Sequence, residues 1–263
     1  MSVEVRRSAF SAPAVPQDDL SDRLGTLFSR IEYRRADSPE EREAIFRLRH
    51  EAYLREGAIA PNHTGRFADA DDEAENAYLV GLYIDGELAS ALRLHVATKD
   101  HPDVPSFHVF SDILQPRLDA GRIILGFTRF VADERLSRLH SGLPYATLRP
   151  CMLAAEYFHA DEMLVAVRVE HQAFYQRAFN HQVLCAPRRD PQLAKPIGLM
   201  SLDFPSEAER LHGRYPFFRS TVRERRMLFE RTPAAASAAP GGQATNRGRI
   251  TSPLSGNATP RSS

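Results

Sequence analysis

The alternation of apolar and polar positions divides the chain into short elements of changing period. Ile31-Glu-Tyr-Arg-Arg35 alternates with period two and reads as a short strand. Ser38-Pro39-Glu40-Glu41 supplies an N-cap, a proline at the first helical position and a capping-box glutamate, which predicts a helix from there to about Gly57. Ile45, Leu48 and Ala52 share one face of it. Ala77 to Ile84 and Glu87 to Val96 are apolar, β-rich runs joined by Asp85-Gly86, the signature of a hairpin with a type I′ turn. Further strands are predicted over Arg122 to Val131, Met163 to Val167 and Ile197 to Asp203; the second is continuously apolar, as in strands buried on both faces. Helices are predicted over Leu143 to His159, with Leu148, Met152 and Ala155 on a shared face, and around His171 to Phe179. The order β-α-β-β-β-α-β-α-β is that of an α/β chain with a mixed central sheet flanked by helices, not of a doubly wound dinucleotide fold.

The two ends read differently. Met1 to about Gln17 is rich in Pro, Ala and Ser, and Leu20, Leu24, Leu27 and Phe28 then fall at helical spacing, so residues 1–30 are expected to be a flexible segment with a short helix. From Thr232 to Ser263, 26 of 32 residues are Ala, Gly, Pro, Ser, Thr or Asn and none is acidic. Such a stretch buries too little apolar surface to offset the entropy of ordering it, so a disordered tail is expected over 232–263. Between them lie a central domain, 31–204, and a basic helical extension, 205–231.

Composition narrows the function classes. The 263 residues balance 34 basic against 34 acidic side chains, which argues against a strongly electrostatic nucleic-acid binder. Two cysteines, Cys151 and Cys185, exclude a disulfide scaffold and a Cys-rich zinc module. No apolar run reaches membrane-span length and the first thirty residues lack a signal-peptide core, so a cytoplasmic protein is expected.

Phosphate-cradling glycine motifs, H-E-x-x-H and G-x-S-x-G are all absent. His171 with His181, or His101 with His108, are conceivable metal pairs, but scattered histidines are usually surface or capping groups, and no metal is expected. Cys151 is read as opening a helix, where the dipole would favour a thiolate, or as the commoner small buried apolar residue. What stands out is polar residues inside apolar strands: Arg93 in Ser90 to Val96, and Thr128 and Arg129 in Ile123 to Val131. A charge within a strand is costly unless it is paired or faces a cleft. The acid cluster Asp69-Ala-Asp71-Asp72-Glu73 offers partners; alternation equally allows both arginines to point to solvent.

The element order, with His171-Gln-Ala-Phe-Tyr-Gln-Arg-Ala-Phe179 after the apolar strand, resembles the GNAT acyltransferase superfamily. Four motifs in order resemble its acyl-carrier-protein-dependent branch, the N-acyl amino acid synthases and the related acyl-homoserine-lactone synthases. These are Arg49 with Tyr53, Asp69 with Asp72 ahead of Tyr78-Leu79, Arg93-Leu94 after the hairpin turn, and Thr128-Arg129-Phe130-Val131. The resemblance covers roughly residues 31–204. Lactone synthases usually carry a glutamate three residues before the strand arginine, where this chain has Gly126, and a tryptophan after the first helix, where it has none. The open-chain N-acyl amino acid synthases are therefore favoured. The superfamily's diphosphate loop is also missing; Arg135 to Gly142 fits it poorly, which weighs against free acetyl-CoA as donor.

The resemblance implies transfer of a fatty acyl group from acyl-carrier protein to the amine of an amino acid or similar small molecule, with no cofactor beyond the carrier's phosphopantetheine. Rivals are a lactone synthase with a divergent pocket, and a non-catalytic module that binds an acyl chain or a carrier. In that scheme backbone at Phe130 and Val131 meets the thioester carbonyl. Asp69 and Asp72 hold the ammonium or relay its proton, and Arg49 or Arg93 pairs with a carboxylate or with those acids. Tyr53, Thr128 and Arg129 line the substrate site, and Tyr175 protonates the departing thiolate or is simply a core aromatic. Carrier proteins are acidic, and Glu207 to Arg231 holds seven arginines against four glutamates; Arg219, Arg223 and Arg226, at helical spacing, are the expected docking residues. Neither nucleic acid nor an integral membrane contact is expected.

Overall fold

In the computed structural model residues 26–190 and 196–231 are described. The expected loose start, most of the short helix after it and the expected disordered tail from Thr232 lie outside them; residues 26–28 are helical. The chain divides after Glu230, and every element below belongs to the first unit.

Strand β1 (Ile31–Arg35) leads into helix α1 (Pro39–Arg55). Ser38 caps that helix through its side chain and Glu41 returns the bond to the Ser38 amide, the predicted capping box. After a 3-10 turn (Ala70–Glu73) come β2 (Ala77–Ile84) and β3 (Glu87–Ala97), joined through Asp85 and Gly86 at φ 50° and 85°, as a type I′ turn demands. Next follow α2 (Phe107–Asp119), β4 (Ile124–Ala132), α3 (Glu134–Leu139), α4 (Leu143–Tyr157), β5 (Glu162–Arg168) and α5 (Val169–Phe179). The short β6 (Gln182–Val183), β7 (Ile197–Asp203), α6 (Phe204–Arg214) and α7 (Val222–Phe229) complete the described part.

The strands form one mixed sheet in the order β1-β2-β3-β4-β5-β7-β6, antiparallel everywhere except β4 against β5. Alternation along the strands splits the core between two faces. Leu79, Ala91 and Val131 pack under Ile45, Phe46, Leu48 and Ala52 of α1, while Ala97, Ile124 and Leu164 pack under Phe110, Leu114 and Leu118 of α2. Their strand neighbours, including Val80, Leu92, Leu94, Leu125 and Met163, point the other way into the large core under α4, α5, α6 and α7.

The expected order omitted α2, which carries Pro116 within it and a non-helical Phe110, and whose N-cap Ser106 makes no side-chain bond. It also omitted α3 and β6. Cys151 does not open a helix. It lies in the middle of α4, fully buried, where burial drives its thiol far above the ordinary range, so it is the small core residue and not a thiolate. No described helix is long and apolar enough to cross a membrane.

Candidate active site

Two irregularities converge on β4. Its parallel pairing with β5 covers Ile124, Leu125 and Gly126 against Glu162, Met163 and Leu164, and no ladder continues beyond. Past that point the two strands are unpaired, and the gap between Phe127 to Ala132 on one and Val165 to Arg168 on the other is termed the cleft. On the β3 side, Thr128 pairs with Arg93 and Val131 with Ala91, so Arg129 and Phe130 together oppose Leu92. This is a bulge, and Arg129 takes the extra turn at φ 55°, in the left-handed region that a non-glycine residue occupies only at some cost. The bulge aims Arg129 back across the face under α1.

There it meets the acid cluster. Arg49, from the inner face of α1, donates from Nη1 to both Asp72 oxygens at 2.8 and 2.9 Å. Arg93 donates to Asp72 Oδ1 at 2.8 Å, to Asp71 Oδ2 at 3.2 Å, to Thr128 Oγ1 at 3.2 Å, and also to Asp69. Arg129 closes the row by donating to Asp69 Oδ2 from Nε at 2.9 Å and from Nη2. Three guanidinium groups thus meet three carboxylates. Arg49, Arg93 and Asp72 are wholly buried, whereas Asp69, Arg129 and especially Asp71, with 47% of its side chain exposed, reach the surface. The two alternatives for the strand arginines are resolved: both turn to the acids rather than to solvent.

The electrostatics follow that depth. Burial alone would raise the Asp69 carboxyl, but Arg129 and Arg93 overcome it and hold it below the usual range. Burial lowers the Arg49 guanidinium despite Asp72. Burial likewise works against the Arg129 charge, but Tyr53 and Asp69 outweigh it and raise its pKa. The Arg129 guanidinium also lies 5.0 Å from the Phe67 ring and 5.9 Å from that of Tyr53, which themselves meet edge to face. Every predicted residue from Arg49 to Arg129 therefore joins one cluster.

Tyr175 does not. It belongs to the opposite face, 1% exposed, 6.0 Å from the Phe127 ring and 5.7 Å from that of His181. Burial pushes its phenol up, so it is protonated. Because Phe127 is the first β4 residue past the last pairing with β5, Tyr175 borders the cleft from the far side of the sheet. The expected docking arginines do not share one helix: Arg219 precedes α7 in extended backbone, because the chain turns at Pro216 to Phe218 and the helix starts only after its Thr221 cap. Arg219 lies 3.9 Å from Glu209 and Arg226 pairs with Glu230 at 2.8 Å, both well exposed. Arg223 is exposed on the same helix as Arg226, α7, which packs on α4 and β1, at the edge of the sheet.

Sequence reasoning named Asp71 only as a member of the acid cluster, and it missed Phe67 and His95. His95 lies two residues after Arg93 and hence on the same face, so strand alternation was the signal that could have found it. Its Nε2 lies 3.2 Å from the Asp71 carbonyl oxygen. Burial first, and Arg93 next, depress its pKa to about 4, so the ring is neutral at physiological pH. Among the described residues no three or more His, Cys, Asp or Glu side chains are grouped to hold a metal ion.

The family model of the N-acyl amino acid synthase FeeM matches residues 44–203, a span that contains the whole cluster and Tyr175. This chain belongs to the FeeM family of N-acyl amino acid synthases. It is an acyltransferase with a mixed α/β fold like that of FeeM. The structure of FeeM itself, from uncultured soil microbes, superposes with a TM-score of 0.57 at 16% identity, over 72% of this chain and 97% of that one. MesI, described as a CoA-dependent acyl-homoserine lactone synthase, gives 0.52 at 20% identity over 73% and 97%. TofI, solved with an inhibitor and MTA, gives 0.53 at 13% over 72% and 100%. At these identities the likeness is one of fold. No curated protein sequence matches the chain. The four short motifs thus sit, as the resemblance implied, in a FeeM-family acyltransferase.

Proposed function

We propose that this acyltransferase moves a fatty acyl group from the phosphopantetheine thiol of an acyl-carrier protein to the amine of an amino acid or similar small amine, releasing an open-chain N-acyl amino acid. In this reading the thioester lies in the cleft between β4 and β5. Its carbonyl meets the backbone of β4 at Phe130 and Val131, where the bulge turns the chain and donors aimed at the developing oxyanion act most strongly. The amine approaches over the ionic face. Asp72, saturated by Arg49, Arg93 and the Asp69 amide, is a positioning residue that fixes the cluster. Asp69 and the half-exposed Asp71 receive the ammonium, and Arg129 receives a carboxylate, with Tyr53 and Thr128 beside them. Tyr175 supplies its proton to the thiolate side of the cleft.

The choice of donor rests on the helix N-termini that follow β4. A diphosphate needs free backbone N–H groups there. The N-terminus of α3 is already filled by the Asp133 carboxylate, which accepts from the Leu136 amide at 2.8 Å, with Glu134 in the first turn. At α4 the amides of Leu143, Tyr145 and Ala146 bond the carbonyls of His140 and Gly142, and Pro144 has no N–H. A carrier-borne thioester needs no such cradle. Gly126 favours an open-chain product, since no carboxylate stands there to serve a lactone-forming substrate.

The observation that supports the reading is the bulge in β4 at Arg129 and Phe130, which brings Arg129 to Asp69 along the stretch of β4 that β5 leaves unpaired, in a FeeM-family chain. Mass spectrometry of lipid extracts from cells overexpressing the protein tests it. Open N-acyl amino acids appear with the wild type and disappear with Arg129→Gly; acyl-homoserine lactones, or no new amide, contradict it.

A further inference from the structure

A row of residues in register crosses the sheet at the floor of the cleft: Ala77, His95, Gly126, Leu164 and Ser201, on β2, β3, β4, β5 and β7. Paired residues share a face, so His95 and Gly126 look out on the side of the ionic cluster. Gly126 is the last β4 residue paired with β5, which places His95 one strand from the point where the cleft begins. A Cβ added at Gly126 would meet nothing nearer than Val104 Cγ1, at 3.8 Å, so room for a small group exists beside the imidazole.

The imidazole itself is incompletely used. His95 is 1% exposed. Its Nε2 lies within hydrogen-bond distance of the Asp71 carbonyl, an acceptor, and therefore carries the ring proton. Its Nδ1 is buried with no hydrogen-bond partner. Buried acceptors are ordinarily satisfied, and this one stands open at the end of the β4–β5 pairing, within reach of the unpaired stretch of β4. Two of the neighbouring carboxylates are poorly placed to take up a proton, because both Asp72 oxygens are engaged by arginines and Asp69 is held by Arg93 and Arg129; the third, Asp71, is held by Arg93 through Oδ2.

We propose that His95, through Nδ1, accepts the proton of the substrate amine during acyl transfer. This rests on the N-acyltransferase reading above and deepens it. The amine lone pair attacks the thioester carbonyl; the N–C bond forms, the C–S bond breaks and the electron pair leaves on sulfur. The proton shed by nitrogen goes to Nδ1 while Tyr175 protonates the thiolate; exchange through solvent then carries the proton from the imidazolium to the phenolate, so amide and free thiol are produced and both side chains regain their starting forms. The imidazole is unprotonated before attack, the state that a proton acceptor requires. The Nε2–H bond to Asp71 fixes the tautomer, as an orienting partner does for any catalytic histidine.

The test combines a spectroscopic and a kinetic readout on the full chain. In protein labelled with 15N-histidine at pH 7, His95 Nδ1 should show the shift of an unprotonated, pyridine-type nitrogen. A pyrrole-type Nδ1 overturns the proposal regardless of any assay. His95→Gln keeps a donor for the Asp71 carbonyl but has no lone pair at the Nδ1 position. Its kcat with acyl-carrier protein should fall by about a hundredfold with the donor KM unchanged. Added imidazole should restore part of the activity of His95→Ala. A His95→Gln enzyme with wild-type kcat would mean that the residue only anchors Asp71. If the wild type forms no amide from any acyl-carrier donor, the reading of the function fails and the role of His95 falls with it, an outcome separate from a failure confined to the variant.

Discussion

Asp72 Oδ1 lies 2.8 Å from the Nη1 atoms of both Arg49 and Arg93, and none of the three side chains reaches solvent. Two cations share one buried carboxylate, and its second oxygen also accepts from the Asp69 amide at 2.9 Å. Removal of one member of such a cluster leaves a buried charge uncompensated, which costs about 3–5 kcal/mol.

Asp72→Asn should therefore lower the melting temperature by roughly 10 °C, at about 2–4 °C per kcal/mol for a unit of this size. Asp71→Asn, at the half-exposed edge of the same cluster, should shift it by no more than a degree or two, about what an exposed ion pair contributes. Differential scanning calorimetry of the two variants checks the contrast. Equal shifts would mean that depth does not decide their importance.

Arg129 allows activity to be separated from folding. At φ 55° glycine is conformationally easier than alanine. Arg129→Gly should be more stable than Arg129→Ala by about 1 kcal/mol in urea unfolding, while both lose at least tenfold in kcat/KM, about 1.4 kcal/mol of transition-state stabilisation. Full activity in a folded Arg129→Gly enzyme would remove Arg129 from the substrate site.

Two buried histidines make the fold acid-sensitive. Burial depresses the folded pKa of His95 to about 4 and of His181 to about 3. The unfolded chain binds those protons near pH 6.5 and the native chain does not. Their contribution is thus fully present above about pH 6.5 and is lost as pH falls towards 4, at roughly 1 kcal/mol per pH unit for each. Urea midpoints at pH 7.5 and pH 5 should differ accordingly, and His181→Phe, which fits the aromatic surroundings of Tyr175 and Phe179, should flatten the dependence. An unchanged slope in that variant would place the titration elsewhere.

Docking of an acidic carrier on the exposed arginines predicts a salt effect. Arg219→Glu with Arg223→Glu should raise the KM for acyl-carrier protein and leave kcat nearly unchanged, and the wild-type KM should rise from low to physiological salt. If neither changes, the carrier docks on another face.

Much of this was legible in the residues. Ser38-Pro39-Glu40-Glu41 placed the start of α1, Asp85-Gly86 the hairpin, and the cost of a charge in a strand singled out Arg93 and Arg129. What pattern alone left open was which way those arginines point. That depends on the turn at Ala70–Glu73 docking against α1, a non-local event. Helix α2 escaped because its internal proline and weak cap imitate a loop, although Phe110, Leu114 and Leu118 recur every fourth residue. The bulge at Arg129 and the parting of β4 from β5 leave no local signature, since both arise from how strands of different partners pair.

In the proposed reaction the cleft at β4 joins a carrier-borne acyl group to an amine. The most direct measurement incubates purified protein with long-chain acyl-carrier protein and a mixture of amino acids, and follows free carrier thiol and amide product together by mass spectrometry. One thiol released per open-chain N-acyl amino acid formed is expected, with little product when acetyl-CoA replaces the carrier. Thiol release without amide, comparable efficiency with acetyl-CoA, or a homoserine lactone formed only when S-adenosylmethionine is supplied would contradict it.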